Sequence, residues 1–261
     1  MVAQVARRLD PAPPVPNTSE IALFVDLDGT VFEFAPTPDS VTVNAQLPAV
    51  LRRLSATLDG ALAVISGRPL PAIDALLQWP QLIAAGQHGA ELRRADGHID
   101  YASINTAALD AARTLLHTRP PRADDVRIED KQIALAIHYR EHPAAEPFAR
   151  ELAAAALQAA GPGFELQHGA FVVELKSTRV DKGRALAMLM TQAPFLGRQP
   201  WVLGDDYADE HAFAMAQSIG GAGVVVGMRT DSVAHYQLAN PAAARAWLAQ
   251  ILRQHESVEM E

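Results

Sequence analysis

The stretch IALFVDLDGTVFE, residues 21–33, decides the fold. Its first five residues are apolar without a polar break, the pattern of a strand buried on both faces, as parallel sheets covered by helices require. The run stops at two acids, Asp26 and Asp28, followed by Gly29 and Thr30. In open parallel sheets the ligand crevice lies at the carboxyl ends of the strands, so the acid pair is expected in a site. Acids next to a core need a reason, such as a metal or a phosphate. Read alone, DxDG also fits a plain turn or half of a calcium loop, and the other strand ends must decide.

Outward from this stretch, short apolar runs alternate with helical patterns. Leu47, Val50, Leu51, Leu54 and Leu58 fall at helical spacing, ALAVI at 61–65 reads as a second strand, a helix is expected around Ala72–Gln78, and LIAA follows at 82–85. ELRRA and HIDYA around Asp96-Gly97 read as a hairpin. The middle third differs. Ile133, Leu135, Ile137 and Tyr139 alternate strictly, which predicts an antiparallel sheet with one solvated face; an alanine-rich helix at about 145–160 and two further strands in GPGFELQHGAFVVEL follow. After Asp181 the parallel pattern resumes with a helix through Leu186 and Met190, WVL at 201–203, a helix from Asp209, GVVV at 223–226 and a last helix opening at Pro241. The expected organisation is a proline-rich flexible or extended leader at 1–19, a discontinuous α/β core of residues 20–108 and 177–261, and an inserted α+β cap at 109–176.

Composition removes several classes of function. Thirty Asp and Glu against 22 Lys and Arg give a net charge of −8, the wrong sign for a surface that must neutralise a phosphate polymer, so nucleic acid is not expected as a partner. With no cysteine there is no disulfide, no thiolate metal site and no cysteine nucleophile, and any metal must be held by oxygen or histidine. No apolar run reaches the roughly 20 residues that span a bilayer, and no signal-type stretch opens the chain. A cytoplasmic monomer acting on a small molecule, with no membrane partner, is expected.

Complementary groups follow the other strands. ALAVI leads into Ser66-Gly67-Arg68, a hydroxyl and backbone amides at a helix start that suit an anion, though a plain Ser cap would read the same. Lys182-Gly183 opens a helix behind Asp181, where a fixed cation can face a phosphate or simply be solvated. WVL leads into Gly204-Asp205-Asp206 and then Asp209-Glu210, a cluster that repels itself without a cation.

This order of hhhhDxDGT, S-G, Lys and GDDxxDE resembles the haloacid dehalogenase superfamily of phosphatases. The resemblance implies a Rossmann-like core, Mg²⁺ and an aspartyl-phosphate intermediate, with Asp26 as nucleophile and Asp28 as general acid and base. It assigns Mg²⁺ to an Asp26 oxygen, the Asp28 carbonyl and Asp205, with Asp206 and Asp209 as further or outer ligands. Ser66 and Lys182 bind the transferring phosphoryl group, and Gly29, Thr30, Gly67 and Arg68 join the substrate-binding set. The second acid, Asp28, favours ester hydrolysis over halide displacement. GQHGAELR at 86–93, EDKQIALAIHYR at 129–140, FVVELK at 171–176 and GDDYADE at 204–210 are similar to the trehalose-6-phosphate phosphatase family, from about Ile21 to about Gly227. That similarity implies that Glu129, Lys131 and Glu174 hold sugar hydroxyls, a task charged hydrogen bonds serve well. His88 lines the cleft or bonds a turn carbonyl. HYR at 138–140 reads as a family fingerprint, and His168, His211, Trp79, Trp201 and Trp247 as surface or packing residues. Two departures stand out: Lys176-Ser177 where the family commonly has Arg-Pro, and Ala208 where Thr is common. The expected activity is Mg²⁺-dependent hydrolysis of trehalose 6-phosphate. The alternatives are another sugar phosphate (sucrose 6-phosphate or a mannosyl-phosphoglycerate), a phosphosugar mutase, and a non-catalytic sugar-phosphate sensor.

Overall fold

The computed structural model describes residues 10, 12–33, 46–118, 126–169 and 171–259. Two compact units emerge, one of residues 1–100, 182–205 and 209–261, the other of residues 101–181 and 206–208.

The first unit is built on an eight-stranded sheet in the order β12-β11-β10-β1-β2-β3-β4-β5. Its strands are β1 (Ile21–Val25), β2 (Leu62–Ile65), β3 (Ala84–Gly86), β4 (Glu91–Arg93), β5 (Ile99–Tyr101), β10 (Gln199–Gly204), β11 (Ala222–Val226) and β12 (Tyr236–Leu238). β1 is parallel to both neighbours, with Val25 level with Leu203 of β10 and Val64 of β2. Every residue of β1 is buried, which is why the sequence there is uniformly apolar instead of alternating. The order departs from β1 in both directions, so the ends of β1, β2 and β10 meet at a topological switch point. Helices α1 (Leu47–Thr57), α2 (Leu70–Leu77), α5 (Lys182–Met190), α6 (Tyr207–Ser218) and α7 (Pro241–Glu259) complete this part of the chain. Leu47, Leu51 and Leu54 form the buried stripe of α1, and Trp247, Leu248, Ile251 and Leu252 that of α7. A fully buried Leu or Phe contributes roughly 1.5–3 kcal/mol, so this shared apolar cluster is the main source of stability.

In the second unit, β6 (Arg127–Asp130), β7 (Leu135–His138), β8 (Phe164–Gly169) and β9 (Val172–Ser177) form an antiparallel sheet in the order β6-β7-β9-β8. Leu135, Ile137, Val173 and Leu175 share an apolar cluster with Leu109, Ala112 and Leu116 of α3 (Thr106–Thr118) and Leu152 and Ala156 of α4 (Glu146–Ala160).

Three expectations need correction. Ile133 lies outside the strand, in the turn that Lys131 and Ala134 close by a 3.0 Å backbone hydrogen bond; Gln132 there has φ 70°. The face opposite the apolar cluster is not uniformly solvated, because Ala136 is fully buried between the longer Glu129 and Glu174 directly across from it. Part of the stretch read as a leader is tied to the core. Asp10 bridges Tyr236, Pro13 and Pro16 are buried, and Trp247 Nε1 donates to the Pro14 carbonyl at 3.2 Å. The remainder of that leader, residues 1–9 and 11, lies outside the described residues. β6, β12 and α3 are elements beyond those expected: β6 is charged, β12 is three residues long, and the stripe of α3 is partly alanine, all weak signals.

Candidate active site

The loop after β1 turns at once. Leu27 O accepts backbone amides from Thr30, Val31 and Phe32, and Gly29 takes φ 79°, a conformation that favours glycine. This turn leaves Asp26 at the strand end, 6% exposed, with its amide donating to Leu203 O of β10.

Lys182, the first residue of α5, is buried and reaches two carboxylates: its Nζ is 2.8 Å from Asp26 Oδ1 and 2.7 Å from Asp209 Oδ1. Asp209 is also buried, and its Oδ2 accepts the Asp205 amide at 3.1 Å. Thr30 Oγ1 lies 3.2 Å from Asp26 Oδ2 and 3.1 Å from Asp205 Oδ1, so its single proton is shared between them. Gly204 makes the packing possible, since a Cβ there would lie 2.1 Å from Asp209 Cγ.

Asp26, Asp205 and Asp209 each offer one carboxylate oxygen, all within 4.8 Å of one another. Three carboxylates against one ammonium leave two negative charges in excess, and the donors are all hard oxygens, a set that fits a small divalent cation. The electrostatics agree. Burial pushes the Asp26 carboxyl up to about 7, with Lys182 opposing and Asp209 and Asp28 adding to the rise. Burial disfavours the Lys182 ammonium, yet the charges of Asp209 and Asp26 outweigh it and raise its pKa above the ordinary lysine value. Asp206 is not one of the three; its Oδ1 accepts the Tyr207 amide at 2.6 Å.

After β2, Ser66 is buried and its Oγ accepts the Arg68 amide at 3.2 Å. The Arg68 guanidinium holds Asp28 with both arms, Nε to Oδ2 at 2.6 Å and Nη2 to Oδ1 at 2.8 Å. His88, at φ 59°, lays its ring over Gly67, where a Cβ would come within 2.7 Å of Cε1. Of the two readings of His88, cleft lining or a turn bond, the structure adds a third: packing that requires glycine at 67.

Glu91 has a role the sequence did not announce. Its Oε2 accepts the Leu70 amide at the start of α2 (2.8 Å) and its Oε1 accepts from Gln87 Nε2 (2.9 Å), fastening the loop that carries Ser66, Gly67 and Arg68. The partners are 21 positions apart, so no local pattern marks them. In the second unit, Lys131 Nζ pairs with Glu174 Oε2 at 2.9 Å, and His138 Nε2 with Glu129 Oε2 at 2.7 Å.

Comparison with known proteins shows the family. The family model described as Trehalose-phosphatase matches residues 24–255. The chain is 38% identical to the trehalose-6-phosphate phosphatase of Escherichia coli (strain K12), over 91% of this chain and 90% of that protein. It is 41% identical to a "Probable trehalose-phosphate phosphatase" of Sinorhizobium fredii (strain NBRC 101917 / NGR234), over 79% and 77% of the two chains. Among solved structures, the C-terminal domain of the Candida albicans trehalose-6-phosphate phosphatase superposes with a TM-score of 0.75 at 21% identity, covering 90% of this chain and 93% of that one.

Proposed function

The chain belongs to the trehalose-phosphatase family and is a phosphoric monoester hydrolase, and from that premise we propose that it converts trehalose 6-phosphate to trehalose and phosphate. The observation that carries the mechanism is the buried Asp26 at the end of β1, salt-bridged to Lys182 within an acidic cluster.

Asp26 attacks the phosphorus, a bond forms from its carboxylate oxygen, and the bond to the sugar oxygen breaks. Asp28 gives that oxygen its proton. Water then attacks the aspartyl-phosphate, Asp28 takes its proton, and Asp26 returns as the free carboxylate with phosphate released. Lys182 and Ser66 hold the phosphoryl oxygens, with the loop amides at Gly67. Asp26, Asp205, Asp209 and the Asp28 main chain would hold Mg²⁺, with Asp206 outside them; when bound, the ion offsets the charge of the transferring group. Arg68 holds Asp28 in place. Gly29 and Thr30 shape the nucleophile turn. Glu129, Lys131 and Glu174 would receive the sugar hydroxyls from a cap spanning 109–176. A cytoplasmic monomer completes the reading; among the described residues no helix is long and apolar enough to cross a membrane.

The test is phosphate release from trehalose 6-phosphate with Mg²⁺, beside sucrose 6-phosphate, glucose 6-phosphate and p-nitrophenyl phosphate, with Asp26→Asn as control. The expected result is preference for trehalose 6-phosphate and loss of turnover in the variant. Activity confined to another ester keeps the phosphatase and discards the substrate, whereas substantial turnover by Asp26→Asn removes Asp26 as nucleophile.

A further inference from the structure

The antiparallel sheet carries a row of side chains directly opposite one another: Glu129 of β6, Ala136 of β7, Glu174 of β9 and Gln167 of β8. Because side chains alternate along a strand, this row faces away from Leu135, Ile137, Val173 and Leu175, which belong to the apolar cluster. Each acid of the row is held by a nitrogen donor from a nearby position. Lys131 takes Glu174, and His138 takes Glu129.

The 2.7 Å contact between His138 Nε2 and Glu129 Oε2 is in the range of a charge-assisted hydrogen bond. An ionised carboxylate only accepts, so Nε2 is the nitrogen that carries the proton. The bond from His138 holds the Glu129 carboxyl below the usual carboxylate range, against burial and with help from Lys131 and Arg127. The two side chains are 22% and 30% exposed, dry enough for the bond to fix an orientation yet open enough to meet a ligand. The bond occupies Oε2, and among the described residues no hydrogen bond to Oε1 is made.

We propose that His138 is a positioning residue for substrate selectivity: by fixing Oε2 it presents Glu129 Oε1 to a hydroxyl of the sugar being released. The proposal rests on the reading of Glu129 as a sugar-binding residue. The competing role for His138 is a staple between β6 and β7, which would act on stability and on all substrates alike.

The experiment compares kcat/KM for trehalose 6-phosphate and p-nitrophenyl phosphate in the wild type, His138→Ala, His138→Gln, Glu129→Ala and the His138→Ala/Glu129→Ala double variant, with melting temperatures alongside. Losing a hydrogen bond to a charged group costs about tenfold or more, so the ratio of the two specificity constants should fall about tenfold in His138→Ala, through KM for the sugar ester. His138→Gln, whose amide reaches about as far as Nε2, should recover most of it. On the Glu129→Ala background, His138→Ala should cost nothing further in the ratio. An unchanged ratio in His138→Ala while Glu129→Ala lowers it, or full additivity in the double variant, overturns the positioning role alone. An unchanged ratio in Glu129→Ala itself overturns the sugar-site reading of Glu129, and this role with it. Should His138→Ala not fold, His138→Leu, which keeps bulk without the donor, takes its place.

Discussion

In the proposed mechanism Asp26 is both a nucleophile and a buried acid, and the two demands conflict. Burial favours its protonated form and puts its pKa at about 7, nearer neutrality than the ordinary 3.8. Only the carboxylate attacks phosphorus or binds a cation, so proton and Mg²⁺ compete for one group. The sign follows: apparent Mg²⁺ affinity falls as pH drops through about 7. For a pKa of about 7 the loss between about pH 8 and about pH 6 is roughly tenfold, measurable by calorimetric titration, and Asp26→Asn should flatten it. A flat profile in the wild type would mean that Lys182 keeps Asp26 ionised over the whole range. That the acid pair of DLDGT has a task was legible because acids stopping an apolar strand are costly without one, whereas the roles of nucleophile and general acid come from the family resemblance. That Arg68 clamps Asp28 was not legible, since the residues lie 40 positions apart and nothing near either announces the other.

The strand β10 and helix α6 illustrate how an element delivers a side chain. GDDYADE offers several acids, and the sequence alone leaves open which of them point together. The helix starts at Tyr207, two residues before the expected Asp209, which sets Asp209 within the first turn and turns its carboxylate back over Gly204. Gly204→Ala therefore pushes a methyl into Asp209. Such overpacking costs about 1–3 kcal/mol, and moving a catalytic neighbour by about an ångström costs up to about a hundredfold in rate. The expected outcome is a lowered melting temperature and at least about a tenfold loss of kcat, read by thermal denaturation and phosphate release. Native activity in the variant would show that Asp209 needs no such approach. The buried parallel strands β1, β2, β10 and β11 were readable from their apolar runs, whereas β6 was not, because RIED is charged at all but one of its residues.

At the scale of the whole molecule, an excess of negative charge at the switch point destabilises the metal-free fold, and a cation that binds only the folded state should stabilise it. At about a hundred times its dissociation constant, Mg²⁺ adds about 2.7 kcal/mol, or roughly 5–10 °C in melting temperature for a chain of this size. Differential scanning with Mg²⁺ and with EDTA checks this; Asp205→Asn should remove most of the shift, and its persistence there would place the ion elsewhere. By itself the sequence determined the parallel core and the order of the chemical groups along it, because apolar periodicity and acids at strand ends are written among chain neighbours; the enzyme family was legible only through the resemblance of its motifs to known ones. Tertiary structure alone decided which of those groups meet. The docking of Asp10 and of residues 12–16 on β12 and α7, the hold of Glu91 on α2, and the grouping of Asp209, not Asp206, with Asp26 and Asp205 all depend on strand order and helix start. Those depend on burying the whole apolar cluster at once, a condition no short stretch of sequence contains.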